Sequence, residues 1–259
     1  MKKSLFTLFS FCTLLVHGQA DIPNNDFIPP LKITTVLAGS FGELRSNHFH
    51  SGLDIKTQQR TGLEVIASAS GYVSRIKSKQ YEAESYEIEL FPNPDELVVS
   101  QGELVANSGN TGRSGGPHVH FEIRDKNERP MNAQLFGIEV PDHRDPIIND
   151  LYAYSLSDNS TVNQTQQRQK ISFSKQPDGT FLSEKVKAFG EIGFAIGTVD
   201  MQDGANNNNG IYKIETNLNG ETLLDLEMDK FSFAETRYIN RMIDYALYED
   251  NRVRVQKLF

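Results

Sequence analysis

Four residues of this chain, three of one type and one carboxylate, have the spacing for metal chemistry. The stretch Gly115-Gly-Pro-His-Val-His-Phe-Glu-Ile-Arg124 alternates polar and apolar residues from His118 onward. Alternation with period two predicts a strand, in which successive side chains point to opposite faces. His118 and His120 then share one face, and Val119, Phe121 and Ile123 the other. Two imidazoles on one pleated surface can both reach one cation, or one can bind it while the other works beside it. A second cluster lies in Arg45-Ser-Asn-His-Phe-His-Ser-Gly-Leu-Asp54, where His50 and Asp54 are four apart and Gly52 permits a tight approach. Two histidine nitrogens and one carboxylate oxygen suffice for a catalytic zinc site with one position open for water. A lone His-x-His on a strand is ordinarily a surface pair. Beyond residue 20, however, the chain has five histidines, and four of them (His48, His50, His118 and His120) fall in these two clusters, which favours a metal site.

The elements that must position these residues read as short strands. Ile33 to Val36 is β-branched, and Ala38 to Gly42 is a turn that delivers the segment from Arg45 to Asp54. Gly62 to Ile76 reads as two β segments around a turn, Tyr86 to Phe91 as another strand, and Leu97 to Val105 as strands interrupted at Gly102. Ser108 to Pro117 is a loop with four glycines; it lacks the Lys-Ser/Thr ending of a phosphate loop and reads as a cleft rim that places His118 at a strand start. No helix of convincing length precedes residue 140. The expected fold class is mostly β, with an antiparallel sheet carrying the site.

These motifs carry a resemblance. His50-Ser-Gly-Leu-Asp54, followed by Ser108-Gly-Asn-Thr-Gly-Arg-Ser-Gly-Gly-Pro-His-Val-His-Phe-Glu122, is similar to the M23 (lysostaphin/LytM-type) zinc metallopeptidases of bacterial envelopes, whose pattern is His-x-x-x-Asp followed by His-x-His. The resemblance covers about residues 27 to 137. It implies zinc held by His50, Asp54 and His120, His118 as the catalytic histidine, and an extended peptide of peptidoglycan as substrate. Arg45, Asn47, Asn110 and Arg113 are candidate rim residues. Family members usually carry a further hairpin after the Gly71-Tyr-Val segment, with another histidine facing the reacting carbonyl. This chain has no histidine between Asp54 and His118, and an internal deletion near Lys77 and Ser78 is expected. Loss of one donor to a developing oxyanion typically costs about 100- to 1000-fold in rate. A degenerate domain that binds cell wall or activates a partner amidase is therefore the competing reading, with a structural zinc staple held also by His118 as a third, and a non-functional truncation product as a fourth.

Composition bounds the rest. The net charge of −8 gives no reason to expect nucleic acid. Residues 1–20 read as a secretory signal, with Lys2 and Lys3, an apolar run from Leu5 to Val16 too short to span a bilayer, and Gly18-Gln-Ala20 at the cleavage site. The protein is expected outside the cytoplasm, secreted or in the periplasm and envelope, without a membrane span. The single cysteine, Cys12, falls in that signal, so any zinc rests on histidine and carboxylate. A peptidase domain over 21–140 is followed by a polar linker over 141–146, where His143 reads as a solvated residue. Residues 147–259 show short β patterns spaced by turns such as Asn219-Gly220, which suggests an immunoglobulin-like β-sandwich, a module that could contact cell wall or an envelope protein partner. Its last edge strand is expected beyond Phe259. Asp200 to Asn209 lacks the closing glutamate of a calcium loop and reads as a plain polar loop.

Overall fold

The computed structural model describes residues 26–80, 86–111 and 115–259; the segment read as a signal lies outside them. The first strands are β1 (Leu37–Gly39) and β2 (Leu53–Lys56). The chain then runs out along β3 (Glu64–Ile66), β4 (Gly71–Tyr72) and β5 (Ile76–Gln80). It returns along β6 (Tyr86–Leu90), β7 (Val98–Val99) and β8 (Leu104–Asn107). The pairs β5–β6, β4–β7 and β3–β8 are all antiparallel, so residues 64–80 and 86–107 form one two-stranded arm. β9 (His118–Phe121) follows the Gly-rich loop and completes a sheet of order β1-β2-β9. A small ribbon, β10 (Ile123–Arg124) with β11 (Pro130–Met131), leads into a single 3-10 turn over Ala133–Phe136.

The first strand begins at Leu37, four residues later than the expected Ile33 to Val36. The Val36 carbonyl still accepts the Lys56 N–H at 2.8 Å, but the ladder continues through Leu37 and Gly39, which face Ile55 and Asp54. Leu37 is 3% exposed, so burial draws this segment into the sheet where its glycine suggested a turn. Strand alternation then sorts β2. Leu53 and Ile55 point into a core shared with Phe41, Ile123, Phe136 and Ile138, while Asp54 and Lys56 stand on the opposite face.

In the second half the longest strands are β12 (Ile147–Ser155) and, after β13 (Thr161–Val162), β14 (Gln169–Lys170), β15 (Phe173–Lys175), β16 (Phe181–Ser183) and β17 (Ala188–Phe189), the strand β18 (Ile192–Val199). β19 (Lys213–Leu218) and β20 (Glu221–Glu227) form a hairpin in which Asn219 and Gly220 both take positive φ, the geometry that a tight two-residue turn requires. The segment between Phe231 and Asp250, ambiguous by pattern, contains helices α1 (Ile239–Met242) and α2 (Tyr245–Asn251). A final strand, β21 (Gln256–Lys257), closes a sheet of order β14-β12-β18-β21. α2 covers one face of this sheet, through Leu247 against Tyr152 and Ala195; Val162 and Ile171 pack against Ala153 on the other. The fold is mostly β, its sheets are antiparallel, and among the described residues no helix is long and apolar enough to cross a membrane.

The halves are docked. Met228 and Phe231 pack against the core behind the first sheet, Phe231 lying 5.2 Å from Phe41 ring to ring. Buried Gln202 accepts from the Leu37 N–H at 2.8 Å and donates to the Thr35 carbonyl at 2.7 Å. It thereby satisfies the edge of β1 as a neighbouring strand would.

Candidate metal centre

Register puts the site together. In the antiparallel β2–β9 pair Asp54 stands opposite His120, and Lys56 opposite His118. Strand alternation turns all four side chains to the face away from the core. His50 arrives from the preceding loop, which is held at both ends of a tight turn by the Gly42 N–H on the His50 carbonyl and the His50 N–H on the Glu43 carbonyl, each 2.9 Å. Two glycines make the approach possible. A Cβ at Gly52 would lie 2.3 Å from the Phe121 carbonyl oxygen, and one at Gly39 would lie 2.1 Å from the Arg45 guanidinium.

His50, Asp54 and His120 offer ligand atoms that all lie within 4.8 Å of one another. His50 Nε2 is 3.2 Å from Asp54 Oδ1 and 3.2 Å from His120 Nδ1, and the latter two are 2.8 Å apart. For a tetrahedral ion with bonds near 2.0–2.1 Å, the ligand-to-ligand edge is about 3.3 Å. The three donors thus sit close to the separations that a zinc-sized cation needs.

Each donor is oriented by a partner behind it. His50 Nδ1 donates to the Ser40 carbonyl at 2.7 Å, which leaves the Nε2 lone pair facing the centre. Asp54 turns Oδ2 to the Arg45 guanidinium at 3.2 Å and Oδ1 inward. His120 directs Nε2 to Glu122 Oε1 at 2.7 Å, and Glu122 is itself held by Ser51 and by Arg124 at 2.6 Å. A carboxylate behind a ligating histidine fixes its ring and raises its basicity. Glu122 is the functional residue that motif reading passed over. Its signal was present, since it continues the alternation His118, His120, Glu122 on one strand face.

Electrostatics follow the same wiring. Burial opposes the charge of Asp54, yet hydrogen bonds from His120 and His50 hold its carboxyl well below the usual carboxylate range. Burial likewise opposes protonation of His120, but the hydrogen bonds to Asp54 and Glu122 win and push it up to about 9. Glu122 is drawn down to about 2, against its burial, by His120, Arg124 and Ser51. A proton on His120 Nδ1 and a cation compete for one lone pair.

His118 belongs to the same cluster. Its Nδ1 lies 2.9 Å from the Gly116 carbonyl, so that nitrogen carries the proton and Nε2 presents a lone pair, 3.7 Å from Asp54 Oδ1. The other expected residues fall elsewhere. Arg45 bridges Glu43 and Asp54 and so orients a donor from the edge of the cleft. Asn47 sits at positive φ and accepts from Asn240 at 2.8 Å, on the second half of the chain. Asn110 is exposed on the Gly-rich loop, and Arg113 lies outside the described residues. His48 is exposed and bonds the Ser46 carbonyl, and His143 is exposed and pairs with Asp203 at 2.8 Å; neither is among the grouped donors.

The family model described as Peptidase family M23 matches residues 95–133, a span that carries His118, His120 and Glu122. The match places these residues with the M23 peptidases. The motif resemblance is therefore supported by an independent match, and the fold adds what the match does not span, the His50 and Asp54 donors that register brings beside the M23 His-x-His strand. A search of the solved structures gives no match.

Proposed function

We propose that this chain is an M23-type zinc metalloendopeptidase that hydrolyses peptide bonds in the stem or cross-bridge peptides of peptidoglycan, outside the cytoplasm. The observation that carries the reading is the convergence of three donor atoms at near-tetrahedral separations, each with its own orienting partner. The donor set fits zinc, as two imidazoles and one carboxylate with no thiol suit that ion in a hydrolytic site. His50 Nε2, Asp54 Oδ1 and His120 Nδ1 would hold it. Zinc supplies Lewis-acid activation of water and of the scissile carbonyl.

The chain's own residues supply proton transfer. His118 Nε2 takes the proton of the attacking water and returns it to the leaving amine, as its Nδ1 is committed to the Gly116 carbonyl. Arg45 and Glu122 keep the donors aimed. The substrate lies in a cleft of about 730 Å³ beside the donors, bounded by Asp54, Arg45, His118 and the Gly115–Gly116 turn. Small peptide residues suit a rim made of glycine. The second half serves as an accessory module that docks on the peptidase sheet and is the natural place for a cell-wall or envelope-protein contact.

Two substitutions test the roles. His120→Ala removes a donor and should abolish zinc binding and hydrolysis together. His118→Ala should keep zinc and lose hydrolysis. Equal loss of zinc in both would make His118 a fourth ligand and the site a structural staple. Zinc binding by the wild-type chain without any peptide release would turn the reading to a non-cutting domain that binds cell wall or activates a partner amidase.

A further inference from the structure

The cleft has a second wall that the peptidase chemistry does not use. It is built by the loop 200–209 of the second half, whose Gly204 and Asn207 face Asp54, His118 and Lys56 across the opening. The loop is fixed in place. Gln202 is 3% exposed and spans Leu37 and Thr35, Ala205 is buried beside it, and the Asp200 and Asn209 backbones pair with each other. Asn207 Nδ2 donates to the Ala38 carbonyl, at 3.4 Å, and its Oδ1 accepts from the Lys56 ammonium.

Lys56 is the residue this wall holds. It stands on the site face of β2, directly opposite His118. Directly opposed side chains on one sheet face have Cβ atoms about 4.5–5.5 Å apart. Among the described residues two cations line the cleft, Arg45 and Lys56, and they are placed differently. Arg45 is engaged by Glu43 and Asp54. Lys56 is half-buried, makes no ion pair among the described residues, and bonds the neutral amide of Asn207. In a chain with 34 acidic and 26 basic residues, a cleft lysine matched to an amide keeps its charge for something else. The amide orients the ammonium without neutralising it, and an ammonium already oriented loses less freedom when an anion arrives.

We propose that Lys56, set by Asn207, is a carboxylate-binding residue of the substrate cleft, anchoring an acidic group of the peptide beside His118. The identity of the occupant as a peptide rests on the peptidase reading above. The carboxylate can be a chain terminus or an acidic side chain. Either would take a charge-assisted hydrogen bond from Lys56 Nζ, and the C-terminal half would thereby take part in substrate selection.

The test is equilibrium binding, followed by fluorescence anisotropy on the full chain without added zinc, so that no turnover intervenes. Three labelled Ala/Gly pentapeptides are compared: one with a free C-terminal carboxylate, one amidated with an internal Glu, and one amidated and neutral. At least one acidic peptide should bind the wild type about tenfold more tightly than the neutral one, the equivalent of one charge-assisted hydrogen bond. Which one does so identifies the source of the carboxylate. Lys56→Met should bring that ratio to about one while leaving the neutral peptide unchanged, and Asn207→Ala should lower it about two- to threefold. Equal or undetectable binding of all three by the wild type, or a preference kept in Lys56→Met, overturns the proposal. Hydrolysis of the same peptides is then measured with zinc. Absence of hydrolysis with the preference intact overturns the peptidase reading and leaves the carboxylate site standing.

Discussion

The site sheet and the two-stranded arm are made of the same material, short antiparallel strands rich in Val, Ile and Leu, and they treat it in opposite ways. On β2, Leu53 and Ile55 are at most 1% exposed, and their burial sets which face Asp54 presents. On the arm, Ile88, Leu90 and Val98 are 47%, 53% and 64% exposed and join no core cluster among the described residues. A lone two-stranded ribbon has little to hold it in water, since stability requires a third strand or a packed face. The metal donors stand where a core seals the back of the sheet, and none stands on the arm. Precise geometry has been placed on the rigid element, while the arm carries exposed apolar area of the kind that seeks a partner or self-associates.

The contrast is open to breakage at several sizes of effect. The largest is at the donors. His120→Ala or Asp54→Ala should weaken zinc binding by about 1000-fold or more, beyond the 10- to 100-fold typical of changes behind a ligand. Leu90→Ser on the arm should leave zinc stoichiometry at wild-type level in a chelator competition. Core truncation comes next. Ile55→Ala should destabilise the chain by about 2–5 kcal/mol in urea unfolding, whereas Ile88→Ala should stay within about 0.5 kcal/mol. Equal losses would mean that arm and sheet share one core after all. Glu122→Gln should then cost about 10- to 100-fold in zinc affinity with the fold intact, as it removes only the carboxylate behind His120.

The smallest effect is titration of the zinc-free chain. His120 is raised from 6.5 to about 9 on folding, so its contribution is fully present below pH 6.5 and is lost as pH rises through 9. Glu122 is lowered from 4.5 to about 2, and Asp54 lies lower still; their contributions are present above about pH 4.5 and fade as the solution is acidified. Urea midpoints of the zinc-free chain should therefore fall between pH 6.5 and 9.5, and the fall should flatten in His120→Gln. A midpoint that climbs over that range would contradict the hydrogen-bonded arrangement of His120 between Asp54 and Glu122.

Much of the site was legible in the residues, because its information is local. The four-residue step from His50 to Asp54, the glycine between them, and the strand alternation of His118 and His120 each follow from short-range rules. The hairpin at Asn219-Gly220 and strands β12, β18 and β20 were legible for the same reason. What escaped depends on long-range pairing. The opposition of Asp54 and His120 joins positions 66 residues apart, and the placement of Gln202 and Asn207 beside β1 joins positions more than 160 apart. Strand β1 starts four residues later than expected because burial of Leu37 outweighed the turn signal of its glycine. Asn47 was grouped with the rim by proximity to His50, but its positive φ carries it to Asn240.

The measurement that bears most directly on the central claim is metal content and hydrolysis on one purified sample of the chain. Zinc would be counted by mass spectrometry, and release of new amines from peptidoglycan followed with and without chelator. One zinc per chain with chelator-sensitive release is the predicted result. No bound zinc, or release untouched by the chelator, would contradict the account.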